Sequence, residues 1–343
     1  MTREKGSGLK KITALLTTFN SAKFIHETIN SILTQSFSDF TLLILDDGSK
    51  DDTCDKIAQI KDPRIRFYSF SENLGVGARL KQALELVETP YIAKVDSDDI
   101  SLPSRFQDQL RYLEDNNGTD IVKSYFEYFS TDREVLQSKR FYDFKLNKES
   151  LHNSIKSSGD ISDTLLRWNC VMHTTYFARS EVIKRLGYEP VRVGEDYSLF
   201  YRANLAGIKI GCVPKTLVRM RLSKSSVTTN TDSAFHFASV LFTLKRCALN
   251  NLQLRHEVLW IYGTGALARA FLKVAKKNGV NFYGFLDQKI GALDVAGITY
   301  PVKSLGCCIK GGVVLAAQPA RARVVRELEE NGFNEWVDYL VLA

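Results

Sequence analysis

Three carboxylates fall within four positions in "YIAKVDSDDI", where Asp96, Asp98 and Asp99 follow five residues that read as a buried strand. Ionised Asp side chains repel one another, so grouping them costs free energy unless a cation, a set of donors or open solvent compensates. In open α/β sheets ligands bind outside the carboxyl ends of the strands, which is where these acids would stand. Hard carboxylate oxygens suit Mg²⁺ or Mn²⁺, ions usually held by one or two carboxylates together with substrate phosphates. An acidic turn is the alternative, because Asp and Ser are favoured turn residues and Asp99 is placed to cap a helix starting near Pro103. A second motif lies far downstream. "IYGTGALARAF" places Gly263, Gly265 and Ala268 as G-x-G-x-x-A between a strand and a helix, with Asp287 at the end of the next strand, the context a dinucleotide fingerprint requires.

The chain must be large enough to position such groups. Its 343 residues suit two domains on a prior of about 150 residues each. With 44% hydrophobic and 25% charged residues the composition is that of a globular protein. A net charge of +7 is compatible with anionic nucleotides or an anionic membrane surface. No concentrated basic stripe with interleaved aromatics points to nucleic acid. No apolar run has the roughly 20 residues needed to span a bilayer, and "MTREKGSGLKK" lacks a signal-peptide core. The expectation is a cytoplasmic protein able to touch the inner membrane face peripherally. Cys54, Cys170, Cys212, Cys247, Cys307 and Cys308 form no C-x-x-C pair, so they read as reduced, mostly core thiols rather than a zinc site or disulfide framework.

Strand and helix patterns alternate from "KITALLTTFN" to "YIAKV". That rhythm means βαβ units, a parallel sheet and right-handed crossovers. A helix from Pro103 to about Asn117 and a longer strand in "TDIVKSYFEYFS" follow. Residues 131–168 read as polar, irregular and mobile. Strand, helix, helix and strand return by Leu222, and a Ser/Thr-rich loop precedes an amphipathic helix at 232–250. The βαβ rhythm then restarts. The expected division is a catalytic α/β domain at 10–228, a linker and helix at 229–254, and a small α/β domain at 255–343.

Four strings in order, "TTFN" (17–20), "LDDGSKDDT" (45–53), "DSDD" (96–99) and "GEDYSLFYR" (194–202), resemble the inverting glycosyltransferases of family 2, which have the GT-A fold. The resemblance covers roughly residues 10–228. It implies a GT-A nucleotide-binding domain with a mostly parallel sheet, followed by a small C-terminal Rossmann-like domain. It also implies that Thr18, Asn20 and Asp47 line the base and ribose pocket, and that Asn73 and Arg79 of "SENLGVGARLKQA" contact the nucleotide, although Leu80 departs from the family's usual Asn. Asp98 becomes the metal ligand, with Asp96 facing the ribose or metal. Asp196 becomes the base that takes the acceptor proton, with Glu195 beside it, although acids in a first helical turn are also favoured by the helix dipole. His173 falls near the expected acceptor position, where a lone His among apolar residues also reads as structural. Arg219 and Arg221, followed by Lys224, fall where the family contacts the diphosphate, with Arg221 in place of a His.

The activity so implied is a Mn²⁺- or Mg²⁺-dependent hexosyltransferase of surface polysaccharide synthesis. It would move sugar from a nucleotide-sugar donor, expected to be UDP-linked, to a glycan or lipid-linked acceptor. Two other readings compete. One is a nucleotide-sugar reductase using the C-terminal fingerprint, for which no Tyr-x-x-x-Lys is present. The other is a non-enzymatic scaffold, which would not need clustered acids. The C-terminal domain itself reads as a structural or homo-oligomerising module, or as a nucleotide site.

Overall fold

In the computed structural model of the chain, the structure describes residues 10–224, 231–306 and 309–343. The chain falls into two compact units, Met1–Ser226 and Val227–Ala343; the expected boundary at 228 lies outside the described residues.

The first unit is organised by β1 (Ile12–Thr18), buried along its whole length because it is flanked on both sides. β2 (Phe40–Asp46) and, after β3 (Ile65–Ser69), β4 (Tyr91–Asp96) both pair with β1 in parallel, while β3 pairs with β2. Helices Ile25–Leu33, Thr53–Ala58 and Val76–Glu85 make the crossovers. The first turns Ile25, Ile29 and Ile32 onto the sheet, spaced three and four apart so that they share one face. Each such side chain contributes about 1.5–3 kcal/mol on full burial. Register decides what reaches the carboxyl edge: Thr18 stands opposite Asp46, and Thr17 opposite Asp96.

The sheet continues through β5 (Ile100–Ser101), β6 (Ile121–Phe129), β7 (Phe177–Arg179) and β8 (Ile210–Arg221), giving the order β3-β2-β1-β4-β7-β6-β8-β5. β7 is antiparallel to both β4 and β6, β5 is antiparallel to β8, and β6 and β8 are parallel. Half of the sheet is therefore parallel and half mixed. Pro214, which has no N–H to give, sits where the β6–β8 register slips between Ser124 and Phe126. On its other edge the end of β8 pairs with β5, immediately after the acidic turn.

Residues 131–168 are not the irregular segment expected. They form helices Arg133–Leu136, Lys139–Asp143, Ser150–Ser154 and Ser158–Leu165, with a π-helical stretch at Phe144–Glu149. The helices are too short for an apolar period to show, and their starts are set by caps: Asp132 accepts from the Glu134 and Val135 amides, Ser138 from Phe141 and Ser157 from Asp160.

The second unit opens with helix Thr231–Arg255. Its strands are β9 (Leu259–Tyr262), β10 (Gly284–Leu286), β11 (Gly291–Val295), β12 (Ile298–Lys303), β13 (Gly312–Leu315) and β14 (Tyr339–Val341), in the order β11-β12-β10-β9-β13-β14. All pair in parallel except β11, which forms a hairpin with β12. Helices Ala266–Lys277 and Arg321–Glu330 are the crossovers from β9 and β13. Trp260, Leu286, Val313 and Leu328 belong to its core.

Among the described residues no helix is long and apolar enough to cross a membrane. Cys170 and Cys212 are buried, Cys54 is half-buried and Cys247 is exposed. Cys307 and Cys308 lie outside the described residues.

Candidate active site

The ends of β1 and β2 build the first wall. The Asp47 amide donates to the Thr18 carbonyl at 2.8 Å, drawing the two strand ends together. Thr18 Oγ1 is buried and has no hydrogen-bond partner among the described residues. A buried hydroxyl left unpaired costs free energy, and a ligand is one way to satisfy it. Asn20 adopts left-handed backbone geometry, φ 50°, which Asn tolerates better than most residues. Its amide donates to Ser49 Oγ and its Oδ1 accepts from the Lys50 amide, both at 2.8 Å.

Asp47 and Arg79 turn out to bind each other. Arg79 Nε and Nη2 lie 2.9 and 2.7 Å from Asp47 Oδ1, and the guanidinium stacks on Phe70 at 3.8 Å. Asp47 also accepts from the Leu74 and Gly75 amides. The pair is buried and shapes the 72–75 loop. Leu80, the departure from the family pattern, is a fully buried core residue. Asn73 is engaged from a distant part of the chain: Arg192 Nη1 donates to its side chain at 2.9 Å and Nη2 to its carbonyl at 3.2 Å. Gly77 explains how the two segments come so close, since a Cβ there would lie 2.3 Å from the Glu189 carbonyl and 2.5 Å from that of Val191.

The acidic turn rests on buried cations. Lys94, fully buried in β4, donates to Asp96 Oδ1 at 2.6 Å and to the Val95 carbonyl at 2.7 Å. Arg105 donates to the Lys94 carbonyl at 2.7 Å. Desolvation opposes ionisation of Asp96, but Lys94 and its neighbours outweigh it and hold this carboxyl below its usual range. Among the described residues Asp98 has no ion-pair partner of this kind. Burial, and then the Asp96 charge, push it up to about 6. Asp99 is raised well above its ordinary value by burial and by both neighbouring acids, and accepts from the Arg221 amide at 2.8 Å.

Arg221, expected at the diphosphate, is packed against this turn. Its Nε donates to the Asp98 carbonyl at 2.8 Å, Nη2 pairs with Glu27, and the guanidinium lies between the rings of Phe24 and Phe129 at 4.3 and 4.4 Å. Arg219 pairs with Glu127 at 2.8 Å, and Lys224 with Glu134.

Glu195 and Asp196 open helix Glu195–Leu205, preceded by Gly194 at φ 85°. Asp196 Oδ2 accepts from Asn169 Nδ2 at 2.8 Å and Oδ1 from the Tyr197 amide at 2.6 Å. Burial, with the Asp96 charge adding to it, raises Asp196 to about 6. Glu195 is raised to about 8 by burial and by Asp196. His173 Nδ1 lies 3.5 Å from Glu195 Oε1, and its Nε2 is 2.9 Å from the Tyr188 hydroxyl. Burial, reinforced by Lys94, pushes this imidazole down to about 3. Near neutral pH the contact therefore joins a neutral imidazole to a carboxylic acid, and His173 packs against Glu195.

Such a raised carboxyl carries a stability signature. A group whose folded pKa lies above its unfolded value contributes stability that is fully present below the unfolded pKa and is lost as pH rises through the folded one. For Glu195 that window runs from 4.5 to about 8. Glu195→Gln is expected to melt close to wild type at about pH 5 and above it at about pH 9, as read by calorimetry. A lower melting temperature than wild type at both pH values would contradict the protonation assigned to Glu195.

The model of glycosyl transferase family 2 matches residues 13–186, just over half of the chain, including the loops that follow β1, β2 and β4; Glu195, Asp196 and Arg221 lie beyond it. The chain belongs to glycosyl transferase family 2. Of its relatives, an uncharacterised glycosyltransferase of Methanocaldococcus jannaschii is 26% identical over 216 residues, covering 62% of this chain and 70% of that one. Longer relatives are matched over 33% of their length. Among solved structures, Staphylococcus aureus TarS 1–349 in complex with UDP-GlcNAc superposes with a TM-score of 0.54 at 18% identity, over 78% of this chain and 72% of that one. The Pyrobaculum calidifontis mannosyltransferase PcManGT, in complex with GDP-Man and Mn²⁺, gives 0.51 at 16% identity, over 78% and 69%. These likenesses show the GT-A fold. Membership makes this family 2 chain a glycosyltransferase and sets the transferase reading over the reductase and the scaffold.

The family 2 site contains groups that the sequence motifs did not point to: Lys94, Arg105, Asn169 and Arg192. Lys94 left a visible signal, a lone cation inside the apolar strand "YIAKV". Arg192 and Asn169 left none, because their partners are far away in sequence. Among the described residues no three acids, His or Cys are arranged as a ready-made metal cage. The donor set nonetheless fits a hard divalent cation held by one or two carboxylates and shared with phosphate oxygens, since Asp98 is an acid whose ionisation waits for a positive partner.

Proposed function

We propose that the chain transfers a hexosyl group, with inversion, from a uridine-diphosphate-linked donor to a hydroxyl of a glycan or lipid-linked acceptor in surface polysaccharide synthesis. The observation that carries the reading is electrostatic convergence. The acidic turn after β4 meets the first turn of helix Glu195–Leu205 through Thr174, whose hydroxyl accepts from the Asp96 amide at 3.4 Å, and His173, which lies 3.5 Å from Glu195. The Asp96 charge raises both Glu195 and Asp196. The complexes of TarS with UDP-GlcNAc and of PcManGT with GDP-Man and Mn²⁺, both on this fold, support a nucleotide-sugar donor and a divalent cation.

In this reading Thr18 and Asn20 receive the nucleoside end of the donor, while Asp47, Arg79 and Asn73 hold the loop that shapes its pocket. Asp98, with Asp96, would hold a Mg²⁺ or Mn²⁺ ion, which when bound supplies positive charge to the departing diphosphate. Asp196 acts on the opposite face of the sugar. It takes the proton of the acceptor hydroxyl as the new bond from that oxygen to the anomeric carbon forms. The anomeric carbon–oxygen bond to phosphate breaks, and its electron pair leaves with the nucleoside diphosphate. Asn169 and the Tyr197 amide fix the direction of the Asp196 carboxylate, and a value of about 6 leaves it ionised at neutral pH and still basic enough to take a proton. Glu195 stays protonated and lowers the repulsion between the two acidic turns. Release of nucleoside diphosphate from a panel of UDP- and GDP-sugars, with Mn²⁺ and with excess chelator, tests the proposal. Release of UDP that requires the metal supports it, and no release from any donor contradicts it.

A further inference from the structure

The second unit contains a cleft that sugar transfer, as assigned above, does not use. In its sheet β9 lies between β10 and β13, so the chain leaves β9 first to one side and later returns on the other. Ligands of open α/β sheets bind where strand order reverses in this way. A cavity of about 400 Å³ lies there, lined among others by Gly263, Gly265, Ala266, Asp287 and Arg323.

The lining is chemically specific. Gly263 has φ 105°, and a Cβ there would lie 3.0 Å from the Ala317 Cβ, so the strand can turn into the helix only without a side chain. Gly265 differs. Its φ of −72° suits any residue and a Cβ would meet nothing within 4 Å, so its bareness leaves room in the cavity rather than relieving strain. It precedes the twelve-residue helix Ala266–Lys277, which has no side-chain cap and no acid in its first turn. The first N–H groups of a helix have no partners within it and favour an anion. Arg323 brings a guanidinium to the same cavity, with Nη2 3.2 Å from the Tyr262 hydroxyl and Nη1 2.8 Å from Glu327. At the end of β10, Asp287 accepts from Thr264 Oγ1 at 2.8 Å and from the Gln288 amide at 2.7 Å. A carboxylate offers about four acceptor sites, so about two remain for hydroxyl groups.

We propose that this cleft is a second nucleotide site, which takes a nucleoside diphosphate or a nucleotide sugar independently of the metal-dependent donor site. The diphosphate rests on the amides that open the helix and on Arg323, and the ribose hydroxyls donate to Asp287. The cavity is near the small end of ligand pockets, roughly 300–1,000 Å³, which favours one nucleotide over a dinucleotide.

Calorimetric titration of the full-length chain with UDP, ADP and NAD in excess chelator separates this site from the donor site. Saturable binding of UDP or ADP with one equivalent per chain, unchanged in Asp98→Ala, is expected. Gly265→Asp places a carboxylate where the phosphate would lie, at a backbone position open to any residue and in a role that caps the helix. It should melt at or above wild type and bind the nucleotide at least about tenfold more weakly, because a charge-assisted contact is replaced by repulsion. Arg323→Ala should also lose about tenfold. No binding of any of the three at millimolar concentration, or equal binding by Gly265→Asp, would overturn the proposal. NAD binding tighter than both mononucleotides would overturn the choice of occupant. Loss of metal-dependent UDP release with chelator-resistant binding intact would count against the transferase mechanism and leave this site standing.

Discussion

Asp98→Ala is expected to lower sugar transfer by about 10²–10³-fold, since a Lewis-acid ion contributes several kcal/mol and each 1.36 kcal/mol is tenfold in rate. The residue is chosen by its surroundings. Asp96 has Lys94 as a counter-ion and Asp99 accepts the Arg221 amide, whereas Asp98 is held at about 6 by burial and the Asp96 charge. Removing Asp98 removes the acid best placed to gain from a divalent cation. It also lowers the repulsion in the turn, so the variant should melt at or above wild type near neutral pH while losing activity. Initial rates with Mn²⁺, paired with a melting curve, check both halves. Full activity of Asp98→Ala, or of wild type in excess chelator, would remove the metal from the mechanism.

Asp196→Asn is expected to cost about 10²–10⁴-fold in transfer, the usual contribution of a positioned general base. Asn keeps the shape and can still meet the Tyr197 amide, but it takes no proton. The wild-type pH dependence follows from the raised carboxyl at about 6. Below that value the base is protonated, so the transfer rate should fall about tenfold per pH unit; above it the rate should level off. With Mn²⁺ at saturation, which keeps Asp98 ionised, the Asn form should lack this acid limb. A variant with wild-type turnover, or one that keeps the limb, would assign the base elsewhere.

Much of the fold was legible because the βαβ rhythm of the first 100 residues is written in apolar runs that alternate with helical periods. The positions of Asp96, Asp98, Glu195 and Asp196 could also be anticipated, because strand ends and helix starts are marked by local composition. Other parts were not visible. The short helices of 131–168 are built from caps such as Asp132 and Ser138 rather than from an amphipathic period, so a polar stretch concealed ordered structure. The resemblance places Arg221 near the diphosphate, but not its packing against Phe24, Glu27 and Phe129, which the sheet brings to it from elsewhere. The pairing of Asp47 with Arg79 and the grip of Arg192 on Asn73 are likewise long-range. Gly77 shows how close that second contact is only once the Glu189 and Val191 carbonyls are seen against it.

The proposed mechanism divides the labour: the turn after β4 would hold the donor diphosphate through a metal, and Asp196 would serve the acceptor. Calorimetric titration of UDP with Mn²⁺ into wild type, Asp98→Ala and Asp196→Asn tests it most directly. Asp196→Asn is expected to bind within a few-fold of wild type, and Asp98→Ala to lose at least about tenfold in affinity, as for removal of a charge-assisted contact. Equal loss in both variants would place Asp196 in the donor site, and unchanged binding by Asp98→Ala would contradict the metal assignment.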